Sequence, residues 1–363
     1  PACPEQAIPL SGTEGMRYWS RRDMSTSGAD LKEASFWERE GEAIRCSLCP
    51  HSCLVGEGRR GICRVRGNIG GRMYALSYGK VTSVHLDPME KKPLFHFKPG
   101  RPVLSIGGAS CNLRCQHCQN FGIAQIGLEE FPVRDVRPEE VPALCRRSGS
   151  GGVAWTYNEP TIWYEYMMDA SRLCKAEGLF TVSVTNGYIQ EAPLRSMKGV
   201  IDAMNIDVKG FSERFYGEVC KGRLAPVLRT CELAKGLGIH VELTYLIIPK
   251  HNDGQEEVAG FCRWVRDSLG IDTPVHFSRF HPDYRMEDVP ATPRSTMDMA
   301  YREGKANGLE HVYVGNISTE RGENTYCPGC GSLLIRRSGF QAEMAGVLDG
   351  RCSKCGRDPG IIW

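Results

Sequence analysis

Residues 102–118 read Pro-Val-Leu-Ser-Ile-Gly-Gly-Ala-Ser-Cys111-Asn-Leu-Arg-Cys115-Gln-His-Cys118. A short apolar run, Pro102–Ile106, meets two glycines and then three cysteines spaced C-x3-C-x2-C. That pattern predicts a buried strand handing over to a loop that carries ligands. The same rhythm continues outward from it. Further β-branched or apolar runs stand at Gly152–Thr156, Thr181–Thr185, Ala203–Val208, His240–Ile247, Val275–Phe280 and His311–Val314. Between most of them lie segments of helical length and pattern, such as Ile162–Glu177, Leu224–Leu237 and Glu256–Leu269. Strands alternating with helices predict an α/β fold with a parallel sheet and right-handed crossovers. The number of units predicts a partial or complete parallel (β/α) barrel.

A barrel places its chemistry in the loops that follow the strands. Here those loops begin with Gly107-Gly108 and the three cysteines, then Tyr157-Asn158-Glu159-Pro160, Asn186-Gly187, Asp207-Val208-Lys209 and His281. Polar residues that are unusual at strand ends therefore fall on one predicted rim, which points to a single site.

The 363 residues are 41% hydrophobic and 24% charged, an ordinary core-forming composition. Lys and Arg exceed Asp and Glu by only two, which speaks against a general nucleic-acid coat. No run approaches eighteen apolar residues, so no membrane span is expected. Arg21-Arg22 is followed by polar residues, not the apolar run of an export signal. The 17 cysteines are too many for packing alone. Eleven fall into three tight groups, which in a chain read without an export signal points to metal sites in a reducing, cytoplasmic compartment. Cys3, Cys145, Cys174, Cys220, Cys231 and Cys262 stand singly and read as small buried hydrophobes.

Three thiolates on one short loop can hold three corners of a [4Fe–4S] cube, leaving one iron open to a non-protein ligand. Structural zinc normally recruits a fourth protein ligand, and His117 lies between two of the cysteines, where it would crowd them. The third group, Cys327-Pro-Gly-Cys330-Gly and Cys352-Ser-Lys-Cys355-Gly, is a pair of knuckles separated by 21 residues. It reads as a four-cysteine zinc ribbon, with a rubredoxin-like iron or metal-free thiols as alternatives. The first group, Cys46, Cys49, Cys53 and Cys63, has His51 inside it. Its spacing suits zinc or an auxiliary iron–sulfur cluster equally.

With these motifs in place, the chain resembles the radical S-adenosylmethionine (radical SAM) superfamily over roughly residues 100–320. Cys111-Asn-Leu-Arg-Cys115-x-x-Cys118-x-Asn120 is similar to the pyruvate formate-lyase activating enzyme branch. Cys46-Ser-Leu-Cys49-Pro-His-Ser-Cys53, Glu90-Lys-Lys-Pro-Leu-Phe-His96, Tyr157-Asn-Glu-Pro160 and the terminal cysteine pairs resemble the radical SAM proteins of the AmmeMemoRadiSam system. The resemblance implies SAM chelated to the open iron and cleaved by one electron to methionine and a 5′-deoxyadenosyl radical. It implies SAM contacts at Asn158 and Glu159, in the place of the family's Gly-Gly-Glu-Pro segment with both glycines replaced. Further implied contacts are Asn186 and Gly187, Asp207 and Lys209, His281, Asn120, and His117, whose backbone would face adenine. It also implies reduced flavodoxin or ferredoxin as electron donor, and a protein substrate or Memo-like and AMMECR-like partners.

Each of these residues has an ordinary reading too. Glu159-Pro160 can start a helix, Asn186-Gly187 can be a turn, Asp207 and Lys209 can pair as ions, and His281 can be a loop residue. Glu90–Phe97 reads as a solvated hairpin closing the barrel bottom, or as a substrate or partner contact. The chain is thus expected to comprise a polar extension (1–40), a cysteine-cluster module (41–99), a barrel (100–322) and a zinc-ribbon-like module (323–363). The leading expectation is an activase that places a glycyl radical on a partner. The competing ones are direct radical modification of a small molecule, peptide or RNA, and a zinc-dependent interaction protein without catalysis.

Overall fold

Eight strands form one sheet in the computed structural model, which describes residues 31–319 and 322–363 together with the two-residue strand Arg17–Tyr18. The readings of Cys3, of Arg21-Arg22 and of most of the 1–40 extension lie outside the described residues. The strands are β1 (Ser83–Pro88), β2 (Pro102–Gly107), β3 (Gly152–Trp155), β4 (Phe180–Thr185), β5 (Ala203–Asp207), β6 (His240–Ile247), β7 (Val275–Arg279) and β8 (Val312–Gly315). They pair in chain order, β2 through β8 parallel and β1 antiparallel at the edge beside β2. No β1–β8 pairing occurs among the described residues, so the barrel is partial. All seven parallel strands lie within a residue of their predicted positions; β1 was not predicted.

The connecting helices are α1 (Glu140–Ser148), α2 (Tyr164–Ala176), α3 (Leu224–Gly236), α4 (Gln255–Trp264) and α5 (Arg294–Ala306). One face of the sheet packs on these helices through Leu104, Ile106, Val153 and Trp155. β3 is buried at every position, as a strand covered on both faces must be. Register puts Val103, Ser105, His85 and Asp87 on the opposite, inner face.

The segment Glu90–Phe97 crosses that inner face and is buried, not solvated. Phe97 packs on Phe180 and His240, the first residues of β4 and β6, which places it at the N-terminal ends of the strands. Glu242 accepts from the backbone N–H of Phe95 (2.9 Å) and His96 (2.7 Å), and Asn205 donates to the Pro93 carbonyl (2.7 Å). The charges that suggested a surface find partners inside: Lys92 pairs with Asp87 (2.6 Å), and Glu90 pairs with Arg337 (3.4 Å), both side chains fully buried.

Arg337 lies on Leu333–Ser338, in a three-stranded sheet with Thr325–Tyr326 and Gln341–Met344. Its guanidinium also donates to the Phe95 carbonyl (2.9 Å) and lies over the Phe95 ring at 4.0 Å. The C-terminal segment therefore docks on the barrel bottom, away from the strand ends that carry the cysteine triplet. At the other end of the chain, antiparallel strands Trp37–Glu40, Ala43–Cys46 and Leu54–Val55 and the hairpin Arg66–Ile69/Arg72–Ala75 form the first cysteine module. Arg66 anchors it through a buried ion pair (2.8 Å) with Glu165 on α2.

Candidate functional site

The triplet loop leaves β2 at Gly107, where a Cβ would stand 3.0 Å from the Tyr157 ring, so a larger residue would push the two strand ends apart by a few tenths of an ångström. Asn158 fastens the loop: its Oδ1 accepts from Gly108 N–H (2.9 Å) and its Nδ2 donates to the Ser110 carbonyl (3.1 Å). Cys111 Sγ accepts from the Leu113 N–H (3.4 Å) and from Asn186 Nδ2 (3.5 Å). Burial raises the Cys111 and Cys118 thiols, and a hydrogen bond with Cys220 followed by burial raises Cys115. Such thiols ionise when a metal takes the place of the proton.

Glu159, 1% exposed, organises the rim beside them. Its Oε1 accepts from Thr161 N–H (2.9 Å) and Thr185 Oγ1 (2.7 Å), and its Oε2 from Asn186 N–H (2.8 Å). It is therefore a helix cap and a rim residue at once, with its carboxylate spent on positioning Asn186. Gly187 has φ +68°, and a Cβ there would meet Ile206 at 2.8 Å, so the turn that aims Asn186 requires glycine.

Lys209 pairs with Asp207 at 2.7 Å. Burial opposes its charge, but Asp207 and the Cys115 sulfur hold the ammonium above its ordinary range. His117 is 3% exposed and neither ring nitrogen has a partner. Burial, reinforced by Lys209 and His251, pushes it down to about 3, so it is a neutral ring with two unused polar atoms. His281 and Asn120 stand further out. His281 is exposed and reaches the loop through Gln119 (3.1 Å), and the Asn120 carbonyl caps the short helix Phe121–Ala124.

With this geometry set out, comparison with known proteins is decisive. A family model, the Radical SAM superfamily, matches residues 105–262. The chain is 48% identical over 335 residues, 92% of its length and 100% of the other, to the uncharacterised protein MJ0808 of Methanocaldococcus jannaschii. It is 24% identical to the pyruvate formate-lyase 1-activating enzyme of Escherichia coli, over 52% of this chain and 82% of that one. The chain belongs to the radical SAM superfamily. A radical SAM methyltransferase of Sphaerobacter thermophilus aligns over 65% of this chain and 71% of its own, at 14% identity and a TM-score of 0.46.

Membership in the radical SAM superfamily implies a [4Fe–4S] cluster and SAM, and the residues present fit both. Three thiols, one buried and two half-buried, project from one loop, and the orphaned nitrogens of His117 lie beside Cys115 and Cys220. Two residues of this rim escaped sequence reading. Asn112, a spacer in the motif, is buried and holds Tyr188 O (2.8 Å) and Asn186 Nδ2 (2.9 Å). Cys220 stands alone in sequence, yet its sulfur lies within 4.8 Å of ligand atoms on Cys115 and His117. No local spacing could have signalled it.

Of the other two cysteine groups, the C-terminal one lies apart from the triplet loop and the N-terminal one touches it. Cys327, Cys330, Cys352 and Cys355 bring their sulfurs within 4.8 Å of one another, with 3.6 Å between Cys327 and Cys355 and between Cys330 and Cys352. Cys46, Cys49, Cys53 and Cys63 line a pocket beneath the first module. His51 Nε2 reaches out of that group to the Asn112 carbonyl at 2.7 Å.

Proposed function

We propose that this chain cleaves SAM reductively at Cys111, Cys115 and Cys118 and abstracts hydrogen from a substrate presented to the same rim. The observation that carries this reading is the convergence of the triplet loop with Asn158, Glu159, Asn186 and Lys209 at the C-terminal ends of consecutive parallel strands. The bound cluster and SAM supply the radical chemistry; the protein orients them and excludes water. In this reading Glu159 and Asn158 position the loop and Asn186, whereas His117 offers its unpaired ring to the adenosyl end. His281 covers the outer edge, and a reduced flavodoxin or ferredoxin supplies the electron.

Similarity to enzymes named for activating pyruvate formate-lyase and benzylsuccinate synthase supports a protein substrate that receives a glycyl radical. Memo-like and AMMECR-like proteins are the further partners to try. One observation favours the second reading, direct modification of a small polar molecule. The inner face below the rim carries a buried polar group: Tyr157 and Lys92 both bind Asp87, and His85 stands edge-on to the Tyr157 ring. Burial, only partly offset by Asp87, pushes Lys92 down to about 8. Incubation with deuterated candidates, followed by mass measurement of the 5′-deoxyadenosine, separates the readings. Deuterium from glycine residues of a partner supports activation, and deuterium from a small molecule supports the second.

A further inference from the structure

The two cysteine quartets differ in the spacing of their sulfurs. A tetrahedral zinc with Zn–S near 2.3 Å sets its sulfurs about 3.8 Å apart, which matches the C-terminal quartet. Among the described residues no three of Cys46, Cys49, Cys53 and Cys63 bring their sulfurs within 4.8 Å of one another. The four instead stand around one pocket walled by Leu48, Val55, Met73 and Ile162. A cubane spreads its thiolates in this way, because iron and sulfide lie between them.

A second, independent observation points to an anion in that pocket. Arg66 lines it and is 2% exposed. Its terminal nitrogens are spent on Glu165 and on the Ser35 carbonyl, and its Nε–H has no acceptor. A buried donor left this way costs free energy, and a sulfur-rich anion beside it would supply the missing acceptor. His51 is not needed as a ligand, since four thiolates already complete the ligand set of a cubane, and its Nε2 donates to the Asn112 carbonyl.

We propose that Cys46, Cys49, Cys53 and Cys63 hold a second, fully cysteine-ligated [4Fe–4S] cluster, and that this cluster is wired to the radical SAM loop. The contact is short: His51, two residues from Cys49, bonds the carbonyl of Asn112, the neighbour of Cys111. Arg114 ties the same loops again, donating to the Cys111 carbonyl (2.7 Å) and to the Ile62 carbonyl, one residue before Cys63. The redox role rests on the radical SAM reading; the ligand assignment does not. One electron is exchanged: the reduced N-terminal cluster loses it and the cluster on the triplet gains it. No bond forms or breaks and no proton moves. A low-potential one-electron carrier of the flavin or iron–sulfur class refills the donor.

Metal analysis of the full chain, reconstituted anaerobically with iron and sulfide, tests the assignment. The native protein should hold about eight irons and about one zinc, and Cys46→Ser/Cys49→Ser should lose about four of the irons. Cys111→Ala/Cys115→Ala/Cys118→Ala should keep about four, with a paramagnetic signal on reduction. About four irons with about two zincs in the native protein, confirmed by X-ray absorption at both metal edges without any variant, would overturn it. Failure of the radical SAM reading looks different: the triplet variant would then lose no iron. For the wiring, His51→Ala with both clusters loaded should slow reduction of the triplet's cluster about tenfold, read by freeze-quench paramagnetic resonance. An unchanged rate at unchanged iron content would contradict it.

Discussion

Asn186 Nδ2 stands 3.5 Å from Cys111 Sγ and 2.9 Å from Asn112 Oδ1, so a residue after β4 holds the cysteine loop that follows β2. Glu159 fixes Asn186 through its backbone N–H, and Gly187 supplies the turn that makes this geometry attainable. The site is therefore assembled from three consecutive strand ends, none of which could form it alone.

Replacing Asn186 with Ala removes both contacts while leaving the backbone bond to Glu159. Formation of 5′-deoxyadenosine should fall about 10²-fold, as expected of a small misplacement at a reacting centre. Iron content should change little, and the melting temperature, measured on the same sample, should fall by a few degrees because Asn112 Oδ1 and the Tyr188 N–H lose their partner. A variant that cleaves SAM at the native rate would remove Asn186 from the machinery.

Arg337 and Glu90 form an ion pair with both side chains fully buried. Arg337→Met leaves Glu90 buried without its cation and should cost about 3–5 kcal/mol. Denaturant unfolding checks this. Adding Glu90→Gln should return a large part of the loss, because the uncompensated charge is then gone.

The barrel bottom should make the fold acid-sensitive. Burial pushes His311 down to about 4 and holds His96 well below its usual range, so both are neutral when folded. As pH falls below about 6.5 the unfolded chain binds protons that the folded chain refuses, and stability drops towards pH 4. His311 alone contributes about 3 kcal/mol to that fall. Glu242 adds a second loss at lower pH: burial works against its charge, but hydrogen bonds from His240 and His276 win and hold it well below the carboxylate range. Its contribution is present above about 4.5 and disappears below. Melting temperatures from pH 8 to pH 4 should show the decline, and His311→Gln should flatten its upper part.

Cys330→Ser should release about one zinc, leave the iron content unchanged and lower the melting temperature by several degrees. Loss of iron from the triplet would contradict the separation of this site from the rim. Proteolysis should be confined to the knuckles, since Ile362 N–H bonds the His96 carbonyl (2.8 Å) and Arg337 anchors the sheet.

Much of this was legible in the sequence because it rests on local signals. β-branched runs between helical segments located the seven parallel strands, and two spacings located the triplet and the knuckles. What escaped depends on distant partners. β1 reads Ser-Val-His-Leu-Asp-Pro and declares its edge position only through pairing with β2. Glu90 and Lys92 look solvated until Arg337, 247 residues from Glu90, and Asp87 are seen to enclose them. Glu159 satisfies the helix-start reading through Thr161 and also holds Asn186, a partner 27 residues away that spacing could not have disclosed. Cys220 reaches Cys115 only because the turn after β5 folds back under the loop: Arg114 N–H bonds its carbonyl at 2.9 Å.

The central claim is radical initiation at Cys111, Cys115 and Cys118. The measurement that tests it most directly is quantification of 5′-deoxyadenosine and methionine from SAM, using the iron-loaded native chain under strong reductant without oxygen. Equal amounts of the two products, abolished in Cys115→Ala, are the predicted result. A native chain that carries iron on the triplet, binds SAM and yields neither product would contradict the account.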